Sequence, residues 1–203
     1  LSISLPGEFQ VQNMMAAAGL AIATGMTGDE VAAGLPLLTG VRGRLELVAR
    51  MPGGAPIYID YAHTPDALEA ALVALRPHIR GRLIVLFGCG GDRDTGKRPQ
   101  MGEIAARLAD RVFVSDDNPR SEDPAAIRRE IIANCRGAVE IDGRGEAIAA
   151  AIAELRDDDL LLIAGKGHEQ GQSIAGRMIP FNDGEVARQA VLAQSRAPSR
   201  ISS

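Results

Sequence analysis

The strongest constraint on the fold is an alternation of short apolar runs with segments of helical periodicity, which begins at residue 83. The apolar runs cover residues 83–87, 112–115, 139–141 and 160–164. Between them, apolar side chains recur every three or four residues, as on the buried face of an amphipathic helix. Buried strands that alternate with helices are typical of a parallel sheet with helices on both faces. The sequence therefore predicts an α/β fold with a doubly wound, mostly parallel, Rossmann-like sheet.

Further elements are predicted on either side of this alternating region. Residues 44–50 and 57–61 indicate two strands joined by a Pro-Gly-Gly turn, and a helix is expected over residues 65–79. Residues 172–181 indicate an added hairpin, and a closing helix is expected over residues 185–192. The predicted domain is thus a sheet extended by a hairpin and closed by a helix.

The first forty residues differ from the rest of the chain. An alanine-rich helix is predicted over residues 11–24, and short broken segments rich in glycine follow it. We expect a linker near residues 40–43, and hence two units, residues 1–40 and residues 41–203. A disordered tail is expected from about residue 195, because Ser, Arg and Pro mix there without apolar periodicity.

The composition excludes several classes of function. With 203 residues and 46% hydrophobic side chains, the chain can bury a sizeable core. A formal net charge of −4 and 3% aromatic residues give no reason to expect a nucleic-acid partner. The sequence contains no signal peptide, no apolar run of membrane-spanning length and no metal-ligand spacing. We therefore expect a cytoplasmic, monomeric protein with reduced cysteines and no metal site in this chain.

The first polar motif follows directly on the strand predicted at residues 83–87. Segment 88–94 reads Gly-Cys-Gly-Gly-Asp-Arg-Asp, and glycine lets backbone N–H groups approach an anion closely. It is not a dinucleotide fingerprint, because Arg93 occupies the place of the third glycine, and Arg98 replaces the Ser or Thr of a Walker A loop. Taken alone, the segment is equally compatible with a glycine-rich turn carrying solvated charges. Cys89 is interpreted as a packing residue rather than a nucleophile.

Two more polar segments follow the next predicted strands. Residues 116–120 read Asp-Asp-Asn-Pro-Arg, and residues 165–169 read Gly-Lys-Gly-His-Glu. Because the carboxyl ends of parallel strands meet at one edge of a sheet, we expect these loops to converge with the glycine-rich segment. An Asx-Pro turn would explain Asn118 and Pro119 equally well, but it does not require Arg120.

The side chains of these loops suit a zwitterionic amino acid. The guanidinium of Arg120 can hold a carboxylate in a bidentate manner. Asp117, Asn118 and Glu169 can accept hydrogen bonds from an ammonium group. His168, in contrast, is equally compatible with a purely structural role.

A fourth polar segment, residues 60–65, reads Asp-Tyr-Ala-His-Thr-Pro and ends a predicted strand just before a helix. Thr64 alone would cap that helix. Asp60 and His63 are not needed for capping and are therefore candidates for ligand binding.

Five motifs in this order resemble those of the Mur ligases. They are Gly-Arg-Leu-Glu at residues 43–46 and the segments at 60–65, 88–94, 117–120 and 165–169. The resemblance is to the diaminopimelate-adding, MurE-type members of that family and covers nearly the whole chain. It implies a three-domain ligase in which ATP lies between a central ATPase domain and a carboxy-terminal domain.

The resemblance also implies an assignment of the sequence to domains and of side chains to ligands. The first forty residues would be a helical remnant of the central ATPase domain, and the rest would be the carboxy-terminal domain. The residues implied for meso-diaminopimelate are Arg93, Asp117, Asn118, Pro119, Arg120, Gly165 and Glu169. The residues implied for ATP are Asn13 at the adenine, Arg44 at the phosphates, Asp60 at the ribose, and His63 and Lys97 near the nucleotide.

The reaction that the resemblance implies forms an acyl phosphate on a UDP-linked muramoyl dipeptide with ATP and Mg²⁺, and the amine of meso-diaminopimelate then attacks it. Gln10 stands where the family usually has Asn, whereas Asn13 keeps the second Asn of that pattern. The alternative to a ligase is a stand-alone Rossmann-like module that binds a nucleotide or an amino acid.

The resemblance places the main catalytic residues of such a ligase upstream of Leu1, so no catalytic residue is assigned within this sequence. The Walker A loop, the magnesium ligands and the UDP-binding domain of the family likewise have no counterpart in it. We therefore expect the chain alone to be inactive.

Overall fold

The fold is built around one six-stranded sheet, seen in a computed structural model that describes residues 6–196. In chain order, the strands of this sheet are β1 (Glu46–Arg50), β2 (Pro56–Asp60), β3 (Leu83–Phe87), β4 (Arg111–Val114), β5 (Val139–Glu140) and β6 (Leu160–Ala164). Their spatial order is β1-β2-β6-β3-β4-β5. β1 pairs antiparallel with β2, whereas the other four pairings are parallel. A separate antiparallel hairpin is formed by β7 (Gly171–Ile174) and β8 (Arg177–Pro180).

Helices cover both faces of the sheet. The α-helices of the described residues are α1 (Glu8–Ala23), α2 (Gly28–Gly34), α3 (Pro65–Leu75), α4 (Lys97–Leu108), α5 (Pro124–Ile132), α6 (Arg144–Ala153) and α7 (Asp183–Arg196), of which α3 to α7 pack on the sheet. Apolar side chains of α3, α4 and α5 pack on one face, and those of α6 and α7 pack on the other. The predicted doubly wound, mostly parallel sheet with an added hairpin is therefore confirmed.

The burial of the central strands explains why their sequences do not alternate between apolar and polar residues. Along β3, Leu83, Val85 and Phe87 face one helical layer, while Ile84 and Leu86 face the other. Alternate side chains of a strand point to opposite faces, so a strand that is covered on both sides must be apolar at every position. Each such buried side chain stabilises the fold by about 1.5–3 kcal/mol.

Two predicted helices end at other residues. The closing helix, expected over residues 185–192, continues as α7 to Arg196, and the Ser195 hydroxyl donates to the Val191 carbonyl at 2.9 Å. The disordered tail expected from about residue 195 stays a prediction. The remainder of that predicted tail, residues 197–203, lies outside the described residues. The helix expected over residues 65–79 is α-helical only to Leu75 and continues as a 3-10 turn at Arg76–His78. Pro77 accounts for this change, because it lacks the N–H that would continue the α-helical ladder.

A helix replaces part of the broken segments expected after residue 24. α2 begins with a capping box, in which the Thr27 hydroxyl accepts from the Glu30 N–H at 3.3 Å. The Glu30 carboxylate in return accepts from the Thr27 N–H at 2.8 Å. Thr-x-x-Glu is a sequence signature of this cap, so α2 was predictable from the sequence.

α1 confirms the alanine-rich helix, although it starts at residue 8 rather than 11. It contacts α2 and leaves several apolar side chains exposed, among them Val11, Met15 and Leu20. Within residues 6–196, no helix combines the length and apolar character that crossing a membrane requires.

A fully buried ion pair connects the start of α6 to the start of α7 at the carboxyl edge of the sheet. Arg144, at the start of α6, donates two hydrogen bonds of 2.7 Å to the carboxylate of Asp183, at the start of α7. Its guanidinium also donates to the carbonyls of Ala164 at 2.9 Å and Asp116 at 3.3 Å. Arg144 therefore fixes the ends of β4 and β6 against two helices.

Replacing Arg144 tests this connection. We expect Arg144→Met to lower the free energy of unfolding by about 3–5 kcal/mol, because it leaves the Asp183 carboxylate buried without its partner. Urea unfolding followed by circular dichroism measures the change. Arg129→Met is the matched control, since Arg129 pairs with Asp123 at 3.7 Å with a side chain that is 68% exposed. That substitution should change stability by less than about 1 kcal/mol, and equal costs for the two variants would contradict the role of Arg144.

Candidate functional site

Four loops meet at the carboxyl edge of the sheet and enclose a cleft of about 370 Å³. They follow β2, β3, β4 and β6, whose last residues are neighbours in the sheet register. The cleft is lined by Tyr61, His63, Thr64, Gly88, Gly90, Arg93, Asp94, Lys97, Asp117, Asn118, Arg120, Gly165 and Glu169. The predicted convergence of the polar loops is therefore confirmed.

The cleft brings together most of the predicted site residues. From the set implied for an amino acid it includes Arg93, Asp117, Asn118, Arg120, Gly165 and Glu169, and from the set implied for a nucleotide it includes His63 and Lys97. Pro119 is buried within its loop, and Arg44 and Asp60 lie beside the cleft rather than on its wall. Asn13 is exposed on α1, where its amide donates to Gln10 at 3.3 Å. Which ligand each of these residues contacts stays a prediction.

The main catalytic residues were expected upstream of Leu1, and Leu1 itself lies outside the described residues, which begin at Pro6. Their position therefore stays a prediction. The groups that the cleft presents are suited to binding and orienting a ligand.

Asp117 is a buried carboxylate without a hydrogen-bond donor. It is 6% exposed, and no described residue donates a hydrogen bond to its side chain. Burial raises the pKa of Asp117, although the positive charges of Arg144 and Lys166 oppose that rise. Gly165 leaves room for this carboxylate, because a Cβ there would lie 2.6 Å from Asp117 Oδ2. In its ionised form, this carboxylate would present to the cleft a negative charge that no hydrogen-bond donor of the described residues contacts, and a cationic group of a ligand would stabilise that form.

Glu169 is a second carboxylate in the cleft, and its surroundings have the opposite effect. Its Oε2 accepts from Lys166 Nζ at 2.8 Å and from Asn118 Nδ2 at 2.9 Å. Burial alone would raise the pKa of Glu169, but these hydrogen bonds and the Lys166 charge outweigh burial and lower it. Glu169 is thus held in the charged form at neutral pH.

Asn118 has less capacity for a ligand than expected. Its Oδ1 accepts from the Ser173 N–H at 2.8 Å and from Lys166 Nζ at 3.2 Å, which uses both lone pairs. Asn118 Oδ1 therefore has no free lone pair for the ammonium of a ligand in this arrangement, and the role of Asn118 in ligand binding stays a prediction. The remaining N–H of its amide can still donate to a carboxylate.

Arg120 is anchored through its backbone and one guanidinium nitrogen. Nη1 donates to the carbonyls of Gly91 at 2.7 Å and Asn118 at 3.4 Å. Its φ of 54° lies in the left-handed region, which is unfavourable for a non-glycine residue. Two backbone hydrogen bonds to the hairpin hold this conformation, at 2.9 Å to the Ser173 carbonyl and at 2.7 Å from the Ala175 N–H. The rest of the guanidinium can bind an anion.

The glycine-rich loop is held from behind by Arg98. This side chain is fully buried and donates to the carboxylates of Glu122 at 2.9 Å and Glu130 at 3.1 Å, and to the Gly90 carbonyl at 3.4 Å. Arg98 therefore supports the loop from inside the protein instead of facing the cleft, as a Walker A hydroxyl would. Cys89 is 3% exposed, and burial raises the pKa of its thiol to about 12. A protonated thiol of this kind is a packing residue, as expected.

The residues beside the cleft form a cluster around Tyr61. The guanidinium of Arg44 lies 5.0 Å from the centre of the Tyr61 ring, and the His63 ring lies 4.5 Å from that centre. Lys97 Nζ donates to the His63 carbonyl at 2.7 Å. The carboxylate of Asp60 accepts from the Leu45 and Ala62 N–H groups, both at 2.7 Å. Asp60 thus ties two loops together, and burial raises its pKa despite these hydrogen bonds.

Two contributors to the site were not predicted. Lys166 was part of the Gly-Lys-Gly-His-Glu motif, but no role was inferred for it, although it is fully buried beside Glu169. Gln172 lies on β7 and donates to the Asp117 carbonyl at 2.5 Å, 55 residues away in the chain. A lysine between two glycines was a usable signal, whereas nothing in the sequence links residue 172 to residue 117.

Comparison with known proteins assigns the chain to a family. Residues 43–167 match the family model described as Mur ligase, glutamate ligase domain. A UDP-N-acetylmuramoyl-L-alanyl-D-glutamate--2,6-diaminopimelate ligase from Chelativorans sp. (strain BNC1) is 58% identical over 191 residues, which cover 94% of this chain and 40% of that protein. The chain thus spans well under half the length of this relative.

Solved structures agree with this assignment. A structure of a ligase with the same name is 37% identical, with a TM-score of 0.77, over 97% of this chain and 41% of the other. Folylpolyglutamate synthase from Mycobacterium tuberculosis, complexed with ADP and AMPPCP, shares the fold at 21% identity and a TM-score of 0.63, over 97% of this chain and 42% of the other. The chain belongs to the Mur ligase family and carries its glutamate ligase domain.

Proposed function

We propose that this chain is the amino-acid-binding part of an ATP-dependent ligase that joins meso-diaminopimelate to UDP-N-acetylmuramoyl-L-alanyl-D-glutamate in peptidoglycan synthesis. The observation that carries the proposal is the buried Asp117 carboxylate, which has no hydrogen-bond or salt-bridge partner within residues 6–196 and lies in one cleft with Glu169, Arg93 and Arg120. The name of the relatives that are similar over nearly this whole chain supports the choice of substrates. Residues 1–40 would belong to the central ATPase domain of such a ligase, and residues 41–203 would form its carboxy-terminal domain.

The charges of the cleft match those of diaminopimelate. This amino acid carries two ammonium and two carboxylate groups at neutral pH, so its receptor needs groups of both signs. Asp117 and Glu169 would hold an ammonium, while Arg93 and Arg120 would hold a carboxylate. Lysine has only one carboxylate and would lose the pairing with one arginine.

The remaining members of the predicted amino-acid set would act through shape and hydrogen bonding. Asn118 would donate its free N–H to a carboxylate, Gly165 would leave space beside Asp117, and Pro119 would shape the loop. Together with the four charged side chains, they would form a receptor for a ligand with charges of both signs.

In the proposed reaction, these residues bind and orient the amino acid so that its reacting amine meets the activated carboxyl group. Holding two reactants in one orientation replaces an unfavourable encounter in solution and can supply several kcal/mol of the barrier. The ion pair of Glu169 with Lys166 favours this role, because it holds the carboxylate in place before a ligand binds. The residues that activate the carboxyl group would lie upstream of Leu1.

ATP and Mg²⁺ are the cofactors of the proposed ligase. His63 and Lys97 would face the nucleotide from the cleft, Arg44 would reach it beside Tyr61, and Asn13 and Asp60 would complete its surroundings. A fold shared with a structure that contains ADP is compatible with this proposal. Within residues 6–196, no group of three or more His, Cys, Asp or Glu side chains could hold a metal ion. The magnesium ligands of the proposed ligase would lie upstream of Leu1.

The proposed setting follows from the substrates. The partners would be meso-diaminopimelate, ATP and the UDP-linked muramoyl dipeptide, and the product would support cell-wall growth, cell shape and division. A cytoplasmic, monomeric ligase without a nucleic-acid partner fits the two free, buried cysteines and the acidic net charge of −4.

Isothermal titration calorimetry tests the substrate. The 203-residue chain should bind meso-diaminopimelate, and Arg120→Ala should weaken this binding by about one to two orders of magnitude, because a lost charge-assisted pair costs about 1.5–3 kcal/mol. Lysine should bind less tightly and be less affected by the substitution. Arg177→Ala, on the exposed β8, is the control and should have no effect. Equal affinities for lysine and meso-diaminopimelate, or an unchanged affinity of the Arg120 variant, would refute the proposal.

The stability of the ligand-free chain tests the charge state of the two carboxylates. The pKa of Asp117 is raised from 3.8 in the folded protein, so ionisation at neutral pH opposes folding. Asp117→Asn should therefore raise the melting temperature at pH 7, and this gain should vanish as the pH falls towards 3.8.

Glu169→Gln is the matched comparison, and it should change the melting temperature at pH 7 in the opposite direction to Asp117→Asn. The pKa of Glu169 is lowered from 4.5, so its ionised form stabilises the fold at pH 7, and this contribution is lost as the pH falls through the lowered pKa. The substitution should therefore lower the melting temperature at pH 7 but not at acidic pH. Differential scanning calorimetry at several pH values measures both variants, and shifts of the same sign would show that one of the two assignments is incorrect.

A further inference from the structure

Lys166 is the one member of the Gly-Lys-Gly-His-Glu motif whose side chain is fully buried and charged. It lies behind the wall of the cleft and is absent from its lining. A buried ammonium is strongly unfavourable unless its hydrogen bonds and its charge are satisfied. The acceptors that surround Lys166 therefore indicate what the side chain does.

Three acceptors surround the ammonium group. Lys166 Nζ donates to the Gly171 carbonyl at 2.7 Å, to Glu169 Oε2 at 2.8 Å and to Asn118 Oδ1 at 3.2 Å. Asn118 Nδ2 donates to the same Glu169 oxygen at 2.9 Å, so Lys166, Asn118 and Glu169 form a closed triangle. All three donors of the lysine are used within the protein.

The triangle also sets the orientation of the Asn118 amide. Its Oδ1 faces two groups that can only donate, the Lys166 ammonium and the Ser173 N–H, while Nδ2 faces a carboxylate. A flipped amide would place its NH₂ group against both donors. Lys166 thus fixes which end of Asn118 meets a ligand, and it leaves Glu169 Oε1 without a donor among the described residues.

We propose that Lys166 is a positioning residue of the amino-acid site. Its hydrogen bonds hold the side chains of Asn118 and Glu169 in one fixed arrangement, in which Glu169 Oε1 is free to accept a hydrogen bond from the ammonium of the ligand. The identity of that ligand rests on the proposed function. The lysine touches neither ligand nor reacting atoms and acts through its two partners.

The other charges around the triangle support this role. Glu169 is near enough to Asp117 to raise the pKa of that carboxyl. Lys166 and Arg144 counter that repulsion, and Arg144 is itself neutralised by Asp183. The further titratable groups on the cleft wall are Tyr61, His63, Arg93, Asp94, Lys97 and Arg120. Without Lys166, the charged form of Glu169 would lose a direct hydrogen bond and the positive charge that contacts it.

A purely structural role is the competing explanation, because Lys166 also holds the start of β7 through the Gly171 carbonyl. The two roles differ in their consequences. A purely structural anchor affects stability but leaves the affinity of the folded chain for the ligand unchanged. A positioning residue changes the pH at which the ligand is lost, and its effect depends on Glu169.

Lys166→Met keeps most of the volume of the side chain and removes its charge. We expect this variant to bind meso-diaminopimelate at least about 10-fold more weakly at pH 7, as for the loss of one charge-assisted hydrogen bond. When the affinity for meso-diaminopimelate is measured against pH, the loss of affinity on the acidic side (the acidic limb) should occur at higher pH than in the wild type, because Glu169 is protonated more easily without the lysine. In a Glu169→Gln background, Lys166→Met should cost much less than it does in the wild-type chain.

Arg82→Met is the matched control. Arg82 pairs with Asp159 at 2.6 Å, at the opposite edge of the same sheet. This variant should lose stability while retaining the affinity and the pH profile of the wild type. Additive effects of Lys166→Met and Glu169→Gln, or an unshifted acidic limb, would refute the positioning role.

One measurement needs neither ligand nor a folded lysine variant. Carbon-detected NMR titration of the wild-type chain should place the pKa of the Glu169 carboxyl below 4.5, and a value at or above 4.5 would overturn the proposal. The binding experiments separate the two hypotheses. If the wild-type chain does not bind meso-diaminopimelate, the proposed substrate is wrong, whereas normal binding by Lys166→Met would reject only the role of the lysine.

Discussion

The structure depends on the pairing of charges that are buried at the carboxyl edge of the sheet. The cations of three ion pairs are fully buried, namely Arg144 with Asp183, Lys166 with Glu169, and Arg98 with Glu122. Asp183 is fully buried as well, whereas the side chains of Glu169 and Glu122 are 32% and 31% exposed. In each pair the cation also donates to a backbone carbonyl, although Arg98 Nε has no acceptor among the described residues. Asp117 differs from these pairs, since its carboxylate is buried and no described residue donates to it. The surrounding pairs thus hold in place one charge that the fold alone does not satisfy, which is the expected property of a binding site.

The hairpin shows how a peripheral element supports this site. It contacts the loop after β4 through Gln172, through the Ser173 N–H and through two backbone hydrogen bonds to Arg120. These contacts hold Arg120 at a positive φ that a non-glycine residue would not adopt in an unsupported loop. Arg120 in turn orders the glycine-rich loop through the Gly91 carbonyl. The position of the guanidinium is therefore set by a hairpin that follows Arg120 by 53 residues at Ser173.

The sequence predicts those parts of the molecule that depend on local patterns. The apolar runs of β3 and β6 identify the sheet, and strand ends identify the edge where polar loops meet. The Thr27 and Glu30 pair was equally local, and α2 could have been predicted from it. The contacts of Lys166 and Gln172 with the loop after β4 span 48 and 55 residues, and no local rule relates such positions. The saturation of Asn118 Oδ1 was unpredictable for the same reason, because both of its donors lie far away in the chain.

The close packing of two glycines, Gly43 and Gly167, links the turn before β1 to this site. Gly43 has a φ of 68°, and a Cβ on it would overlap the backbone of Gly167 and His168. A Cβ on Gly167 would lie 2.8 Å from the Gly43 carbonyl oxygen, which also accepts from the Tyr61 N–H at 2.8 Å. The two backbones therefore touch without intervening side chains, directly beside the loop that carries Lys166 and Glu169. Contacts this close cannot absorb a displacement, so the backbone at residue 43 and the loop that carries both charged residues have to move together.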